Sequence, residues 1–194
     1  MEKKQSFWKT LLGKWDTKTI VGIAIGSALF GVLMCFGGIK VTTNTSLTSA
    51  YIVLPIVGAL FGPLPAALTG LIGNTIADLI GGWGFWFDWS FGNFVAGLFI
   101  GLLPIYGAKI EDGIFEVKHM IFYAISTIVG IALGFGVVTP LLTVAFYSGE
   151  LTLTWIQAEA AIISDASVAI VIGLPVLIAL AKRNAKKNNL SKED

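Results

Sequence analysis

The chain has 194 residues, of which 55% are hydrophobic and only 13% are charged, and its formal net charge is +1. A soluble domain carries roughly 25% charged residues, so charge this sparse excludes a water-exposed surface over the whole molecule, and the composition predicts an integral membrane protein rather than a soluble helical bundle. The single cysteine, Cys35, excludes an internal disulfide and any CxxC metal or redox motif.

The first 18 residues predict an amphipathic helix that lies on the cytoplasmic surface of the membrane. They carry lysines between apolar residues, and no cleavage site of small residues precedes the first apolar run, so a secretion signal is not expected. Apolar residues at helical spacing are typical of a surface-bound helix. Here they are Phe7, Trp8, Leu11, Leu12 and Trp15.

Six apolar runs follow, and a helix that crosses a membrane needs about 20 apolar residues. The region 51–82 is too long for one crossing, and "GPLP" at 62–65 predicts a tight reversal, because proline disfavours helix before it and starts a new one readily. The fifth run becomes less favourable to a continuous apolar helix at "VVTP", residues 137–140. The predicted crossings are about 19–38, two short ones within 51–82 on either side of the reversal at 62–65, 89–106, about 120 onward, and 158–181.

The charges support six crossings in an all-α membrane protein with both termini in the cytoplasm. This topology puts the termini, the reversal at 62–65 and the charged loop at 109–119 on one side, with 12 of the 13 Lys and Arg residues; only Lys40 lies opposite. The positive-inside rule makes that side cytoplasmic. We therefore expect one membrane domain over 1–194, with a core at 19–181 and a basic tail at 182–194.

Three outer segments remain, at 40–49, 81–88 and 139–157, and the second is unusual. "GGWGFWFDWSFGN" at 81–93 holds three of the six tryptophans: Trp83, Trp86 and Trp89. Tryptophan also favours the membrane interface, so an aromatic belt is the alternative to a binding loop.

Polar residues converge on the same edge of the membrane. Asn74 and Asp78 are four residues apart and share one helix face, and an ionisable group in a membrane usually faces a cavity or a partner. The alternatives are helix–helix hydrogen bonds for this pair, an N-cap role for Asp88, and a water-exposed carboxylate for Glu159. Asp165 lies near mid-membrane and could equally serve assembly. The candidate substrate site comprises Asn74, Asp78, Trp83, Trp86, Asp88, Trp89, Asn93 and Glu159, which together suit a small heteroaromatic or amide-bearing solute.

No reaction is indicated by the sequence. HExxH, GxSxG and Walker-type GxxxxGK[ST] motifs are absent, and the one histidine, His119, lies in the charged loop, where we expect it to be solvated. We expect neither an enzyme nor a cofactor. Active transport would then take its energy from an ion gradient or from a partner ATPase.

Small residues four apart let helix backbones approach closely. Such pairs occur in the first crossing and again at Gly97/Gly101 and Gly130/Gly134. By itself this spacing predicts helix packing within the chain. The first crossing pairs Gly22 with Gly26, and Ala24 with Ala28.

A resemblance to a known family rests on residues 60–102, "LFGPLPAALTGLIGNTIADLIGGWGFWFDWSFGNFVAGLFIGL". This stretch is similar to the helix pair and Trp-bearing loop of the riboflavin-type group of S components, the substrate-binding subunits of energy-coupling-factor (ECF) transporters. The likeness covers about residues 20–181. It implies a site at the outer end, formed by the first outer loop, the loop between the third and fourth helices, and helices four to six. It also implies a water-soluble vitamin or vitamin precursor as substrate, and docking of a coupling transmembrane subunit at Ala24 and Ala28, with two cytoplasmic ATPases supplying energy.

Members of the family that carry transition metals use an N-terminal His motif, and this chain begins Met-Glu-Lys, so no metal is expected. The resemblance leaves the vitamin open among riboflavin, hydroxymethylpyrimidine, pyridoxine, pantothenate, folate and cobalamin. A stand-alone small-solute transporter or channel is the alternative function, followed by a membrane enzyme or assembly protein. No nucleic-acid partner is expected.

Overall fold

Helices dominate the computed structural model, which describes residues 7–42 and 45–190, with the backbone alone at 40–42, 45, 189 and 190. A short helix α1 (Phe7–Leu12) precedes the long α2 (Thr17–Phe36). Asp16 caps α2, where its carboxylate accepts a hydrogen bond from the Thr19 backbone N–H at 2.9 Å. That bond lowers the pKa of the Asp16 carboxyl group.

A β-hairpin follows α2, where the sequence predicted only a polar segment. Strand β1 (Gly38–Thr42) pairs antiparallel with β2 (Thr45–Thr48), and Lys40 lies opposite Ser46. The segment is rich in threonine, whose β-branched side chain favours strands. The hairpin is a small departure from the predicted all-α fold.

The predicted reversal is confirmed at Gly62. A 3₁₀ turn (Ser49–Ile52) leads into α3 (Val53–Phe61), and α4 (Pro63–Ile80) begins directly after Gly62. Gly62 has a φ of +99°, which glycine adopts without strain. Proline then occupies the first helical position, where its missing N–H costs nothing.

The last two helical rods are longer than predicted. After α5 (Phe87–Ile100), helix α6 (Val117–Leu133) continues through a π-helical segment (Gly134–Val138) into α7 (Thr139–Tyr147). Helix α8 (Leu151–Val168) joins α9 (Leu174–Leu190) in the same way, through Ala169–Gly173.

The predicted outer segment at 139–157 is mostly helical, because residues 148–150 alone separate the two rods. Pro140 does not end the first rod. It lies in the first turn of α7, directly after the π-helical segment. Such local changes of helix type give other partners to the backbone carbonyl that proline, lacking an N–H, leaves without a donor.

Four of the described helices are long and apolar enough to cross a membrane, and the chain is an integral membrane protein of helices. They are Thr17–Phe36, Pro63–Ile80, Val117–Tyr147 and Leu151–Asn188. Two of the predicted crossings are shorter in the structure: Ser49–Phe61 is an apolar helix below that length, and α5 has 14 residues.

Close helix contacts place α4 between α2 and α5. A Cβ on Gly70 would lie 2.5 Å from the Asn93 carbonyl oxygen, and one on Gly97 would lie 2.5 Å from that of Ala66. Gly130 is pressed in the same way against Phe99. The prediction that Gly97 and Gly130 pack within the chain is confirmed.

The basic segments of the chain lie close together at one end of the molecule. Helix α1 packs against α4 near the reversal, and Gly13 touches Phe61. Lys18 pairs with Glu111 at 3.3 Å, and Asn184 donates to the Ile110 carbonyl at 2.9 Å. The start of α2, the loop before α6 and the end of α9 therefore lie together.

His119 also lies at this end, but it is not solvated as expected. It is 2% exposed, and its Nδ1 accepts the Glu116 backbone N–H at 3.0 Å. The chain enters α6 here through a capping box, in which the side chains of Glu116 and His119 each accept a backbone N–H of the other residue.

Candidate functional site

A cavity of about 700 Å³ opens at the opposite end, between the hairpin, the loop 81–86 and the turn 148–150. Helices α4, α5, α7 and α8 form its walls. Seven of the eight predicted substrate-site residues line it: Asn74, Asp78, Trp83, Trp86, Asp88, Trp89 and Asn93.

Glu159 is the eighth predicted residue, and the structure places it away from the cavity. Its side chain is exposed on α8, whereas Gln157, Ala161 and Asp165 of the same helix line the cavity. At 3.6 residues per turn, Glu159 points roughly opposite to Gln157. Depth in the membrane suggested Glu159, but depth does not say which way a helical residue faces.

Asn93 is the centre of a buried polar network. Its Oδ1 accepts from the Tyr51 hydroxyl at 2.7 Å, and its Nδ2 donates to Asn74 Oδ1 at 3.1 Å and to the Trp89 carbonyl at 3.0 Å. Asn74 donates in turn to Ser90 Oγ at 3.1 Å. The network ties α4 and α5 to each other and to the 3₁₀ turn before α3, which carries Tyr51. The predicted helix–helix hydrogen bonds and the predicted cavity are therefore both present.

Asp78 connects α4 to the tryptophan loop. Its Oδ2 accepts from the Trp86 backbone N–H at 3.1 Å and from Asn74 Nδ2 at 3.3 Å. The residue is 5% exposed and lines the cavity. The carboxylate therefore fixes the loop while it faces the space that the loop covers.

Asp88 is fully buried and links α5 to α7. It lies in the first turn of α5, whose N-cap is Trp86, so it is not the N-cap residue itself. Its Oδ1 accepts from the Trp89 N–H at 2.9 Å, the Thr143 hydroxyl donates to Oδ2, and the Thr139 hydroxyl donates to the Asp88 carbonyl at 3.2 Å. A carboxylate at this position also interacts favourably with the helix dipole.

The aromatic wall consists of Trp83, Trp86 and Trp89, supported from behind by other rings. Trp86 packs on Tyr147 with 5.0 Å between ring centroids, and its Nε1 donates to the Trp83 carbonyl at 2.9 Å. Trp89 packs on Phe135 at 5.6 Å. Trp83 and Trp86 remain 56% and 40% exposed, so both have surface left for a ligand.

The resemblance implied that the last predicted helices border the site, but sequence reasoning missed which residues of α8 face it. The cavity-lining residues of this helix recur every three or four positions, which is the helical period, and this signal could have been read beforehand. The face comprises Leu153, Thr154, Gln157, Ala161 and Asp165, and Glu150 lines the cavity from the turn before α8. Asp165, noted only for its depth, is 4% exposed at the base of this face.

The lining is suited to binding. It combines flat aromatic surfaces with carboxyl, amide and hydroxyl groups, the arrangement that recognises small polar molecules with rings. Among the described residues, no group of three or more His, Cys, Asp or Glu residues is placed to hold a metal ion.

Comparisons with known proteins agree with this architecture. The chain matches the family described as "ECF-type riboflavin transporter, S component" over residues 14–182. It is similar to UPF0397 proteins of Aliivibrio fischeri strains MJ11 and ATCC 700601 / ES114, each 35% identical over 179 residues, which is 91% of this chain and 97% of the relative. No solved structure matches. The predicted resemblance is confirmed: the chain belongs to the family of ECF-type riboflavin transporter S components, the membrane-embedded substrate-binding subunits of ECF transporters in bacteria.

Proposed function

We propose that this S component binds a water-soluble vitamin or vitamin precursor with a heteroaromatic ring, at high affinity, in the cavity at its outer end. A separate coupling transmembrane subunit and two cytoplasmic ATPases then drive its import. The observation that carries the proposal is the cavity itself, whose wall combines three tryptophans with the Asn74, Asp78 and Asn93 side chains.

The size of the cavity supports a vitamin-sized ligand. Small-molecule pockets commonly measure about 300–1,000 Å³, and this one measures about 700 Å³. Tryptophan and tyrosine faces suit a flat ring, and carboxylate and amide groups suit its polar substituents. Family membership favours the binding subunit over the alternative of a stand-alone transporter or channel.

Native mass spectrometry of the protein purified from bacterial membranes tests this function. We expect one small heteroaromatic molecule retained per chain, and the same molecule should bind again after it has been removed. A protein that retains no molecule, and binds none of the six candidate vitamins in calorimetric titrations, would contradict the proposal.

We also propose that the chain crosses the membrane six times, with both termini in the cytoplasm. The clustering of α1, the reversal at Gly62, the loop before α6 and the end of α9 at one end supports this topology. The hairpin, the loop 81–86 and the turn 148–150 lie at the other end, around the cavity. With this placement the positive-inside rule assigns the basic end to the cytoplasm.

Thiol labelling of intact cells checks the topology. In a Cys35→Ser background, cysteines at Leu47 and Glu150 are expected to react with a membrane-impermeant reagent, and cysteines at Asp112 and Lys186 only after the membrane is permeabilised. All four side chains are exposed in the structure, so accessibility within the protein is matched. Labelling of Asp112→Cys from outside would overturn the six-crossing topology.

For partner docking, we propose the surface of α2 that carries Ala24 and Ala28. Both residues are exposed, whereas Gly22 and Gly26 on the same helix face inward. A Cβ on Gly22 would lie 2.3 Å from the Phe61 ring, and one on Gly26 would lie 2.9 Å from Val57. The inward pair is thus used for packing within the chain, and the alanine pair remains for a partner helix.

Ala24→Trp or Ala28→Trp is expected to abolish co-purification with the coupling subunit while ligand binding survives. The bulky ring would keep the two helix backbones apart, and the chain's own core would not be disturbed. Val129→Trp, at an exposed position on α6, is the matched control and should leave the complex intact. Loss of ligand binding with a persisting complex would show that the alanines serve the chain's own fold.

A further inference from the structure

The charge of the cavity wall is strongly one-sided. Four carboxyl residues line it, and no Lys, Arg or His is among the described residues that do so. Lys40, in β1, is the one Lys or Arg that the proposed topology places at this end of the molecule. Acids therefore outnumber bases there even when Lys40 is counted. The four acids are Asp78, Asp88, Glu150 and Asp165.

The four carboxyl groups are not equivalent. Both oxygens of Asp88 accept hydrogen bonds from the protein, from Trp89 and Thr143, and the residue is fully buried in the first turn of α5. Its charge is therefore accommodated by the fold itself. Glu150 is exposed at the rim, where water solvates it.

Asp78 and Asp165 are different, because the fold does not fully satisfy the hydrogen-bonding capacity of either carboxyl group. Both hydrogen bonds to Asp78 go to Oδ2, and Oδ1 accepts none from the described residues, although the residue is only 5% exposed. Asp165 is 4% exposed, and Ser164 donates to its Oδ1 at 3.2 Å. The Tyr51 hydroxyl also interacts with this carboxyl group, but its one proton is donated to Asn93 Oδ1 at 2.7 Å.

A buried carboxyl group without a counter-charge is unfavourable, and it favours a ligand that brings hydrogen-bond donors and positive charge. The aromatic wall adds to this preference, since tryptophan and tyrosine faces attract cations through the ring quadrupole. The same wall disfavours an anion, which would meet four carboxyl groups and find no basic partner among the described lining residues.

We infer that the ligand of this cavity is a small heteroaromatic that carries a positive charge, on a ring nitrogen or an amino group, and has no carboxylate or phosphate. The inference rests on the proposed function, since it names the chemical class bound at the same site. In this arrangement the ring lies against Trp86, and its cationic or amino group donates to Asp78 and Asp165.

Calorimetric titration of the purified full-length protein with ligands that share a ring but differ in charge tests this class. One set shares a pyridine ring: pyridoxamine with an amine, pyridoxine with an alcohol, and 4-pyridoxic acid with a carboxylate. Two pairs add a phosphate to a vitamin: thiamine with thiamine monophosphate, and riboflavin with flavin mononucleotide. We expect the tightest ligand to be cationic, and the added acidic group to weaken binding at least about tenfold in any set that binds.

Asp78→Asn and Asp165→Asn separate charge from shape. Each is expected to weaken the cationic ligand at least about tenfold and to change a neutral ligand of the same ring far less, because the amide keeps the volume of the side chain but removes the charge. Glu159→Gln, which removes an exposed carboxylate away from the cavity, is the control and should leave the order of affinities unchanged.

The outcomes distinguish this inference from the proposed function. A neutral or anionic ligand that binds most tightly, or Asn variants that weaken every ligand equally, would overturn the cationic class and leave a vitamin-binding subunit in place. A retained molecule with a carboxylate or phosphate group, identified by mass spectrometry, would do the same. If no ligand binds and none is retained, the proposed function itself fails, and the inference fails with it.

Discussion

Asp78→Ala is expected to weaken ligand binding by about 10- to 100-fold, the largest effect of any single polar substitution in the cavity. The change removes a carboxylate that faces the ligand, and it also releases the Trp86 N–H and Asn74 Nδ2, which Asp78 holds at 3.1 and 3.3 Å. Leaving a buried polar group without its partner costs about 1–3 kcal/mol. A loss of 1.4 kcal/mol is about tenfold in Kd, so the two consequences together reach this range.

The measurement is the Kd of the retained ligand, determined by isothermal titration calorimetry on monodisperse protein. Glu159→Ala is the matched control, because it removes a carboxylate that is exposed on α8 and away from the cavity. We expect its affinity to equal that of the parent. Thermal unfolding of both variants separates weaker binding from a smaller folded fraction. An Asp78→Ala protein that is folded and binds like the parent would remove Asp78 from the site.

The sequence predicted those parts of the fold that depend on local chemistry. The reversal at Gly62 was readable because glycine and proline impose a specific backbone locally. Pro140 suggested a weak point in the fifth run by the same local rule, but a neighbouring π-helical segment lets the helix continue through it. The hairpin at 38–48 was missed because pairing of two polar, Thr-rich strands depends on register and contacts that periodicity in one segment does not reveal.

The candidate site followed the same division. Asn74 and Asp78 were placed on one face correctly, because residues four apart in a helix must be neighbours. Glu159 and Asp165 differ in the direction they face, which depends on how α8 is rotated against the rest of the bundle. The periodicity of α8 indicates one shared face, but only the packing shows that the face with Asp165 is turned toward the cavity.

Trp86→Ala is expected to weaken ligand binding by one to two orders of magnitude, about 10- to 100-fold. Trp86 presents a half-exposed ring at the mouth of the cavity, packs on Tyr147 at 5.0 Å and donates to the Trp83 carbonyl at 2.9 Å. An aromatic contact contributes roughly 0.5–1.5 kcal/mol beyond the area it buries. Burial of the ring's remaining apolar surface adds about 25 cal/mol per Å², and loss of the ring also loosens Trp83.

Calorimetry, rather than tryptophan fluorescence, is the appropriate measurement, because the substitution itself removes a fluorophore. Trp15→Ala is the matched control: Trp15 is 52% exposed and lies before α2, at the end of the molecule opposite the cavity. A tryptophan that serves only as a membrane-interface anchor would lower stability or expression when removed, with the affinity of the folded protein unchanged. If Trp83→Ala, Trp86→Ala and Trp89→Ala each behave in this way, the loop 81–86 is an anchor, and the ligand must instead bind between the hairpin and the face of α8 that carries Gln157 and Asp165.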